Sequence, residues 1–167
     1  MNLSSLVAPE CQPAFTEREF RNALGQFATG VTVVTAVDAQ GRPVGMTVSS
    51  FNSVSLDPAL VLWSLSNHTS NYAAFAQASH YAIHVLASHH KEMALQFAQR
   101  GVDRFAGIAW QPNAHGTPVL EDCVAVFECR ARSQYPEGDH LILVGEVLAC
   151  RYTANTSPLL YHDGKMR

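Results

Sequence analysis

The sequence of 167 residues has little charge and no basic cluster. Charged residues make up 15% of the chain, against roughly 25% in a typical soluble protein, and the formal net charge is −3. Nucleic acid and anionic membrane surfaces are therefore not expected partners, because both are bound through clustered cations. Hydrophobic residues reach 47%, so we expect a full core and some apolar surface left for a partner subunit.

Membrane, secretion and metal signals are also missing. No apolar run approaches the roughly 18 residues of a membrane span, and the N-terminus lacks the basic and apolar regions of a secretory signal, so we expect a cytoplasmic protein. Cys11, Cys123, Cys129 and Cys150 form no CxxC pair, and we interpret them as buried hydrophobic residues in a reducing compartment. The eight histidines lack the spacing of a zinc site, and we predict no metal.

Residue periodicity predicts one mainly β domain with short helices, spanning residues 1–167, in which residues 1–15 form a flexible or partner-wrapping arm. A capping box, Thr16 with Glu19, starts a helix that we expect to stop at Gly30. Strands are predicted at 31–37, from 44 onward, at 59–65 with both faces covered, and at 81–87, 123–135 and 140–152. Two more helices are predicted at 69–79 and 88–100.

The order of these elements favours an antiparallel barrel. Strands and helices do not alternate regularly, which excludes a doubly wound sheet. Neither GxGxxG nor GxxxxGK[ST] occurs, so no Rossmann or P-loop nucleotide site is expected. A closed or nearly closed barrel with helices at its ends removes the strand edges that would otherwise pair with other chains. We therefore predict that architecture.

The segment from Gly45 to Leu56 is rich in short hydroxyls. With the two-residue period of a strand, the odd positions are mainly hydroxylated and the even positions mainly apolar. The alternation breaks at residues 50–52, which predicts a bulge or bend of the kind common beside ligand sites. An ordinary solvent-facing strand explains the pattern as well as a ligand cradle does. In a cradle, short hydroxyls let a flat polar ligand approach the backbone closely.

Sequence blocks along nearly the whole chain, from residue 20 to 164, resemble one family. In order they are FRNALGQFATGVTVVTA, GMTVSSFNSVSLDPALVLWSL, HYAIHVLA, DRFAG, EGDHLILVGEV and PLLYHDGK. They resemble the flavin reductases of two-component flavin-dependent monooxygenases, such as the reductase of 4-hydroxyphenylacetate monooxygenase. The resemblance implies a homodimeric antiparallel split β-barrel of the FMN-binding type. It also implies that FMN or FAD is reduced with NADH or NADPH and released by diffusion to a separate oxygenase component.

The resemblance further implies the site residues. Those along the isoalloxazine ring are Met46, Thr47, Val48, Ser49, Ser50 and Phe51. Those near the ribityl phosphate are Ser64, Leu65, Ser66 and Ser70. Phe105 is placed against the flavin, Arg104 near its phosphate tail and Tyr161 at the ligand end of the barrel. His140, in the GDH triplet, corresponds to a catalytic histidine near the flavin and nicotinamide, where an imidazole can stabilise developing charge.

Several of these assignments have simpler alternatives. Ser70 is also explained as a helix N-cap, Arg104 as half of a surface Arg–Asp pair, and His140 as a turn residue. The whole chain could instead hold FMN tightly and act on its own substrate, or bind flavin without catalysis. Relatives often end in an aromatic or basic residue after the glycine that matches Gly164. This chain ends in KMR, and the role of its C-terminus stays undefined.

Overall fold

The computed structural model describes residues 14–167, and the predicted arm at 1–15, like Cys11, falls almost wholly outside this range. The helices in this range are α1 (Glu17–Gly25), α2 (Tyr72–Gln77) and α3 (Lys91–Ala98). The strands are β1 (Thr29–Gly30), β2 (Thr32–Val37), β3 (Pro43–Val48), β4 (Asn52–Leu56), β5 (Ala59–Ser66), β6 (His80–Val85), β7 (Trp110–Pro112), β8 (Pro118–Leu120), β9 (Ala125–Glu137), β10 (His140–Tyr152), β11 (Leu160–His162) and β12 (Lys165–Met166). No helix within the described range is long and apolar enough to cross a membrane.

Seven strands form the main sheet in the order β3-β2-β6-β9-β10-β5-β4, and all neighbours are antiparallel. The two edge strands, β3 and β4, follow each other along the chain, so the sheet curls until its edges face across a gap spanned by one short segment. Two small sheets, β1-β11-β12 and β7-β8, complete the fold. The predicted antiparallel split-barrel fold is confirmed.

Two hydrophobic clusters lie on opposite faces of the sheet. The first surrounds Trp63, whose ring meets those of Phe75 and Tyr81 edge-on at centroid distances of 5.3 and 5.8 Å. The second surrounds Phe97 of α3 and contains residues from β2, β6 and β8. Strand β2 serves both clusters, with Val34 in the first and Val33 in the second, because successive side chains of a strand point to opposite faces.

The first helix begins as predicted but ends earlier. Thr16 and Glu19 form the capping box, with Glu19 N donating to Thr16 Oγ1 at 3.2 Å. The helix ends at Gly25, and the prediction that Gly30 stops it is wrong. Gly30 lies in β1 opposite Leu160 of β11, so the chain must leave the helix early enough to join this sheet.

Two further expectations are corrected. Strand β5 is not covered on both faces: alternate residues are buried and their neighbours half-buried. Cys150 is exposed, because the last five residues of β10 extend beyond the core. Cys123 and Cys129 are buried free thiols as expected, although Cys123 precedes β9 rather than lying in a strand.

Candidate functional site

The predicted break in the Ser/Thr segment is the bend that crosses the gap in the barrel. Residues 49–51 join β3 to β4. Ser50 Oγ accepts a hydrogen bond from Ser64 N at 2.9 Å and lies 3.2 Å from Ser64 O, to which it donates. Both capacities of the Ser50 hydroxyl are thus used to fix the bend to β5, and this side chain positions the segment.

The outer edge of β3 offers backbone groups to a ligand. The Gly45 carbonyl accepts hydrogen bonds from Asn71 Nδ2 at 3.3 Å and from Arg104 Nη1 at 2.7 Å, so it points away from β2. Backbone groups of alternate residues point to the same side of a strand. The N–H and C=O groups of Thr47 therefore face the gap, where they can meet the polar rim of a flat molecule, and Ser49 follows in the bend.

A cavity of about 160 Å³ lies beside this edge and joins two predicted parts of the site. Its lining residues are Val31, Thr47, Val48, Ser49, Tyr161 and Met166. Ser49 is exposed, whereas the Thr47 hydroxyl donates to Ala94 O of α3 at 2.7 Å. The structure therefore brings Ser49 and Tyr161 to one cavity. Of the Thr47 and Ser49 hydroxyls, that of Ser49 is the more accessible.

Met166 was not singled out by the sequence. It lies opposite Tyr161 in the β11-β12 pairing, so the C-terminal residues form one wall of the cavity. Asp163 and Gly164 connect the strands with φ values of 49° and 72°. An Asp-Gly pair between two short strands is a strong signal for a two-residue hairpin, and it was present in the sequence.

His140 begins β10, directly opposite Ser66 at the end of β5. Asp139 Oδ1 lies 2.7 Å from His140 Nδ1, and this hydrogen bond lowers the pKa of Asp139. The carboxylate fixes the proton on Nδ1, which leaves Nε2 of the imidazole, whose side chain is 42% exposed, free for a ligand. Asp139 was not identified from the sequence as a partner of this ring.

Ser70 and Arg104 line a second cavity of about 200 Å³. Ser70 is exposed, but Asn71 is the N-cap of α2, so the N-cap interpretation of Ser70 is wrong. Arg104 also donates to Gln99 O at 2.7 Å, and burial lowers its pKa, with a smaller effect of Arg100. Among residues 14–167 Arg104 has no carboxylate partner, which excludes the surface Arg–Asp pair within that range.

Other predicted residues have their side chains in the packed interior. Leu65 and Val48 belong to the first cluster, and Met46 and Phe51 pack against it. Phe105 packs edge-on against two aromatic rings on the other side of the sheet. Any contact of Leu65, Val48 or Met46 with a ligand must therefore come mainly from the backbone.

One cluster could hold a metal ion among the residues that the structure describes. Its members are His89, His90 and Asp122, whose ligand atoms lie within 4.8 Å of one another. His90 Nδ1 accepts from Ala87 N at 3.3 Å, so in the neutral ring Nε2 carries the proton and points toward Asp122 at 3.7 Å. This arrangement favours a hydrogen-bonded cluster over a metal centre.

Comparisons with known proteins agree on one family. The family model described as Flavin reductase like domain matches residues 24–167. An FMN reductase (NADH) of Agrobacterium fabrum, SmoA, is 48% identical over 147 residues, which cover 88% of this chain and 83% of that protein. The reductase component of a flavin-dependent trigonelline monooxygenase from Acinetobacter baylyi is 46% identical over 130 residues, covering 78% of this chain and 42% of that longer protein.

Solved structures give the same result. The NADH:FAD oxidoreductase of Streptomyces globisporus, in complex with NAD and FAD fragments, superposes with a TM-score of 0.85, 34% identity and coverage of 90% of each chain. Nitrilotriacetate monooxygenase component B of Mycobacterium thermoresistibile superposes with a TM-score of 0.84 and 33% identity, covering 90% of this chain and 84% of that one. The chain belongs to the flavin reductase family.

Proposed function

We propose that this protein is an NAD(P)H-dependent flavin reductase that reduces FMN or FAD and supplies the reduced flavin to a separate monooxygenase component. The observation that carries the proposal is the open edge of β3 at the gap in the barrel, where Thr47 and Ser49 line one cavity together with Tyr161. Relatives with this fold are named as flavin reductases and as reductase components of monooxygenases.

The residues present fit a flavin. The bound flavin would accept at N5 a hydride from C4 of the nicotinamide. The backbone groups of Thr47 at the edge of β3 are suited to orient the pyrimidine edge of the ring, because fixed N–H donors stabilise negative charge that develops there. Ser50 holds these groups in place through Ser64.

His140 is suited to the nicotinamide side of the reaction. Its Nδ1 is held by Asp139 at 2.7 Å, so Nε2 can accept a hydrogen bond from the carboxamide of NADH or NADPH. The ring starts β10 opposite Ser66, and Ser64 on the same strand is bonded to the bend at Ser50. His140 and the bend are thus connected through one short stretch of β5.

We further propose that the protein is a cytoplasmic homodimer. Phe20, Leu24 and Phe27 lie on or just after α1 and are 50%, 57% and 75% exposed, and Leu56 on β4 is 96% exposed. A second copy of the chain is the occupant that would cover these side chains. The buried free thiols of Cys123 and Cys129 support a reducing compartment.

Steady-state oxidation of NADH and NADPH, measured against FMN, FAD and riboflavin, tests the proposed function. We expect nicotinamide oxidation that saturates with added flavin. Two observations favour other functions. Flavin that copurifies while added flavin is not turned over would indicate a tightly bound cofactor and another substrate. Flavin binding without any NADH or NADPH consumption at saturating flavin would indicate a non-catalytic flavin-binding protein.

A further inference from the structure

A larger cavity adjoins the proposed flavin site. Its volume is about 700 Å³, within the range of roughly 300 to 1,000 Å³ that small-molecule sites occupy. It is enclosed by the β2-β3 turn, helix α2 and the start of β6, and by the turn between β7 and β8. None of the residues proposed for the hydride transfer lines it.

Two stacked imidazole rings form part of its wall. His80 and His115 lie with ring centroids 3.9 Å apart and planes within 7° of parallel. Ser79 Oγ holds His80 Nδ1 at 3.1 Å, and Asn113 Oδ1 accepts from His115 N at 2.9 Å. Burial, with smaller effects of His115 and Arg130, lowers the pKa of His80, so that ring is neutral near pH 7. Each ring covers one face of the other, so the outer face of the exposed His115 ring is the face left for a further stacking partner.

The polar groups around this surface suit an uncharged heterocycle. Asp38 lines the cavity, but its carboxylate forms an ion pair with Arg42, with Oδ2 2.8 Å from Nη2. Hydrogen bonds from the Arg42 backbone N–H and neighbouring groups lower the pKa of Asp38. The side-chain amides of Gln40 and Gln77 also line the cavity. Amides can donate and accept, so they can pair with the ring nitrogens and amino group of a base stacked on the histidines.

The cavity adjoins the smaller one that contains Arg104. Both are lined by Pro43, Val44, Ser70 and Asn71. Arg104 donates to two backbone carbonyls, so its guanidinium charge is not cancelled by a carboxylate within residues 14–167. Asp103 lies in the same cavity, where its Oδ1 accepts from Phe105 N at 3.0 Å. A phosphate group in the smaller cavity could therefore meet the Arg104 guanidinium and the exposed Ser70 hydroxyl.

We propose that the larger cavity binds the adenine ring of a dinucleotide on the His80–His115 pair, with the attached phosphates directed toward Ser70 and Arg104. FAD and the nicotinamide nucleotides share the adenosine diphosphate group, so the chemistry is common to both and the experiment decides its source. The connection to a redox ring rests on the proposed function. Binding of adenosine diphosphate itself does not require catalysis and is measured separately.

Replacement of His115 by alanine tests the proposal, because His115 is exposed in a turn and its loss leaves the core intact. H115A is expected to weaken ADP binding about 5- to 150-fold by isothermal titration calorimetry, which corresponds to the roughly 1 to 3 kcal/mol that stacking of a base on an aromatic side chain contributes. The H115F variant keeps a flat stacking face and should retain most of the affinity. His89→Ala, an exposed histidine that lines none of these cavities, is the matched control and should bind like the wild type.

Two further pairs of ligands identify the source of the adenine. If H115A weakens FAD but not FMN, the cavity holds the adenine of the flavin. If H115A raises KM for NADH but not for reduced nicotinamide mononucleotide, the cavity holds the adenine of the hydride donor. The proposal is overturned if wild-type protein does not bind ADP, or if H115A leaves ADP, FAD and NADH unchanged. His115-dependent ADP binding without any flavin reduction would keep this subsite and refute the proposed function.

Discussion

At the scale of single residues, His140 is the group most directly linked to hydride transfer. H140A removes the imidazole at the start of β10 and leaves the bend at Ser50 and its partner Ser64 in place. We expect kcat/KM for NADH to fall about 10- to 100-fold, the cost of the lost hydrogen bond to the nicotinamide carboxamide, while the Kd for flavin changes little. Stopped-flow reduction and flavin titration separate these quantities. Unchanged kinetics would remove His140 from the site.

His84 makes fold stability depend on pH. It is fully buried, with Nδ1 donating to Val33 O at 2.9 Å and Nε2 accepting from Leu120 N at 3.0 Å, and burial lowers its pKa from 6.5 to about 4. An unfolded chain binds the proton near pH 6.5 and the folded one only near pH 4, so stability falls as pH falls through this window, by up to about 3 kcal/mol.

Urea unfolding at pH 7 and pH 4.5 checks this prediction. The H84L variant should lose most of the pH dependence that His84 causes. It should also be destabilised at pH 7 by about 1 to 3 kcal/mol, because Leu120 N–H is left buried without a partner. Equal pH dependence in the wild type and H84L would show that other groups cause it.

The sequence pattern predicted that Thr47 and Ser49 share one strand face, but it did not predict how the neighbouring hydroxyls are used. Two-residue periodicity is local, so it placed Thr47 and Ser49 on one face. The partners of Ser50 and Thr47, Ser64 and Ala94, lie 14 and 47 positions away. Such pairings exist only after the sheet has curled and α3 has packed on it, and no local pattern contains them.

At the scale of elements, the bend between β3 and β4 depends on the Ser50–Ser64 pair. S50A removes both hydrogen bonds and leaves the backbone groups of Ser64 unpaired. We expect the Kd for flavin to rise about tenfold, since 1 to 3 kcal/mol of positioning is lost, with a smaller effect on kcat at saturating flavin. S53A, an exposed hydroxyl on β4, is the control. A rise in Kd of the same size in S53A would argue against a positioning role for Ser50.

The contact between α3 and β3 requires a glycine. A Cβ at position 45 would lie 2.5 Å from Cε1 of Phe97, which is fully buried, and 3.3 Å from Cζ of Phe105. Overpacking of this kind costs about 1 to 3 kcal/mol. G45A should therefore lower the free energy of unfolding by that amount. At Gly30 an added Cβ would meet no atom within 4 Å, so the free energy of unfolding of G30A should stay within about 0.5 kcal/mol of the wild-type value.

The helix that starts at Thr16 shows where element prediction succeeds and fails. Its start is encoded by two residues three positions apart, and the structure contains that capping box. Its end depends on the pairing of Gly30 with Leu160, a contact between distant parts of the chain. The helix packs no side chain into the core, because none of the residues in α1 is buried.

At the scale of the whole molecule, the fold was more predictable than the surroundings of the site. Alternating strands, turn residues and the absence of a Rossmann motif lead to an antiparallel barrel, because each of these signals is local. The cavity between α2 and the β7-β8 turn is lined by residues from position 37 to 117. Its stacked histidines come from segments 35 positions apart, so only the assembled molecule reveals them.

The exposed apolar face of α1 gives the last prediction, which concerns the oligomer. If a second copy covers Leu24, which is 57% exposed, then L24E places a charge in the interface, once for each copy in a symmetric dimer. Burial of a leucine side chain is worth about 1.5 to 3 kcal/mol, so the dimer Kd should rise at least tenfold. N22E adds the same charge on another face of the helix and should leave the dimer intact. Sedimentation velocity over a dilution series measures both, and a wild-type protein that is monomeric at micromolar concentration would refute the dimer.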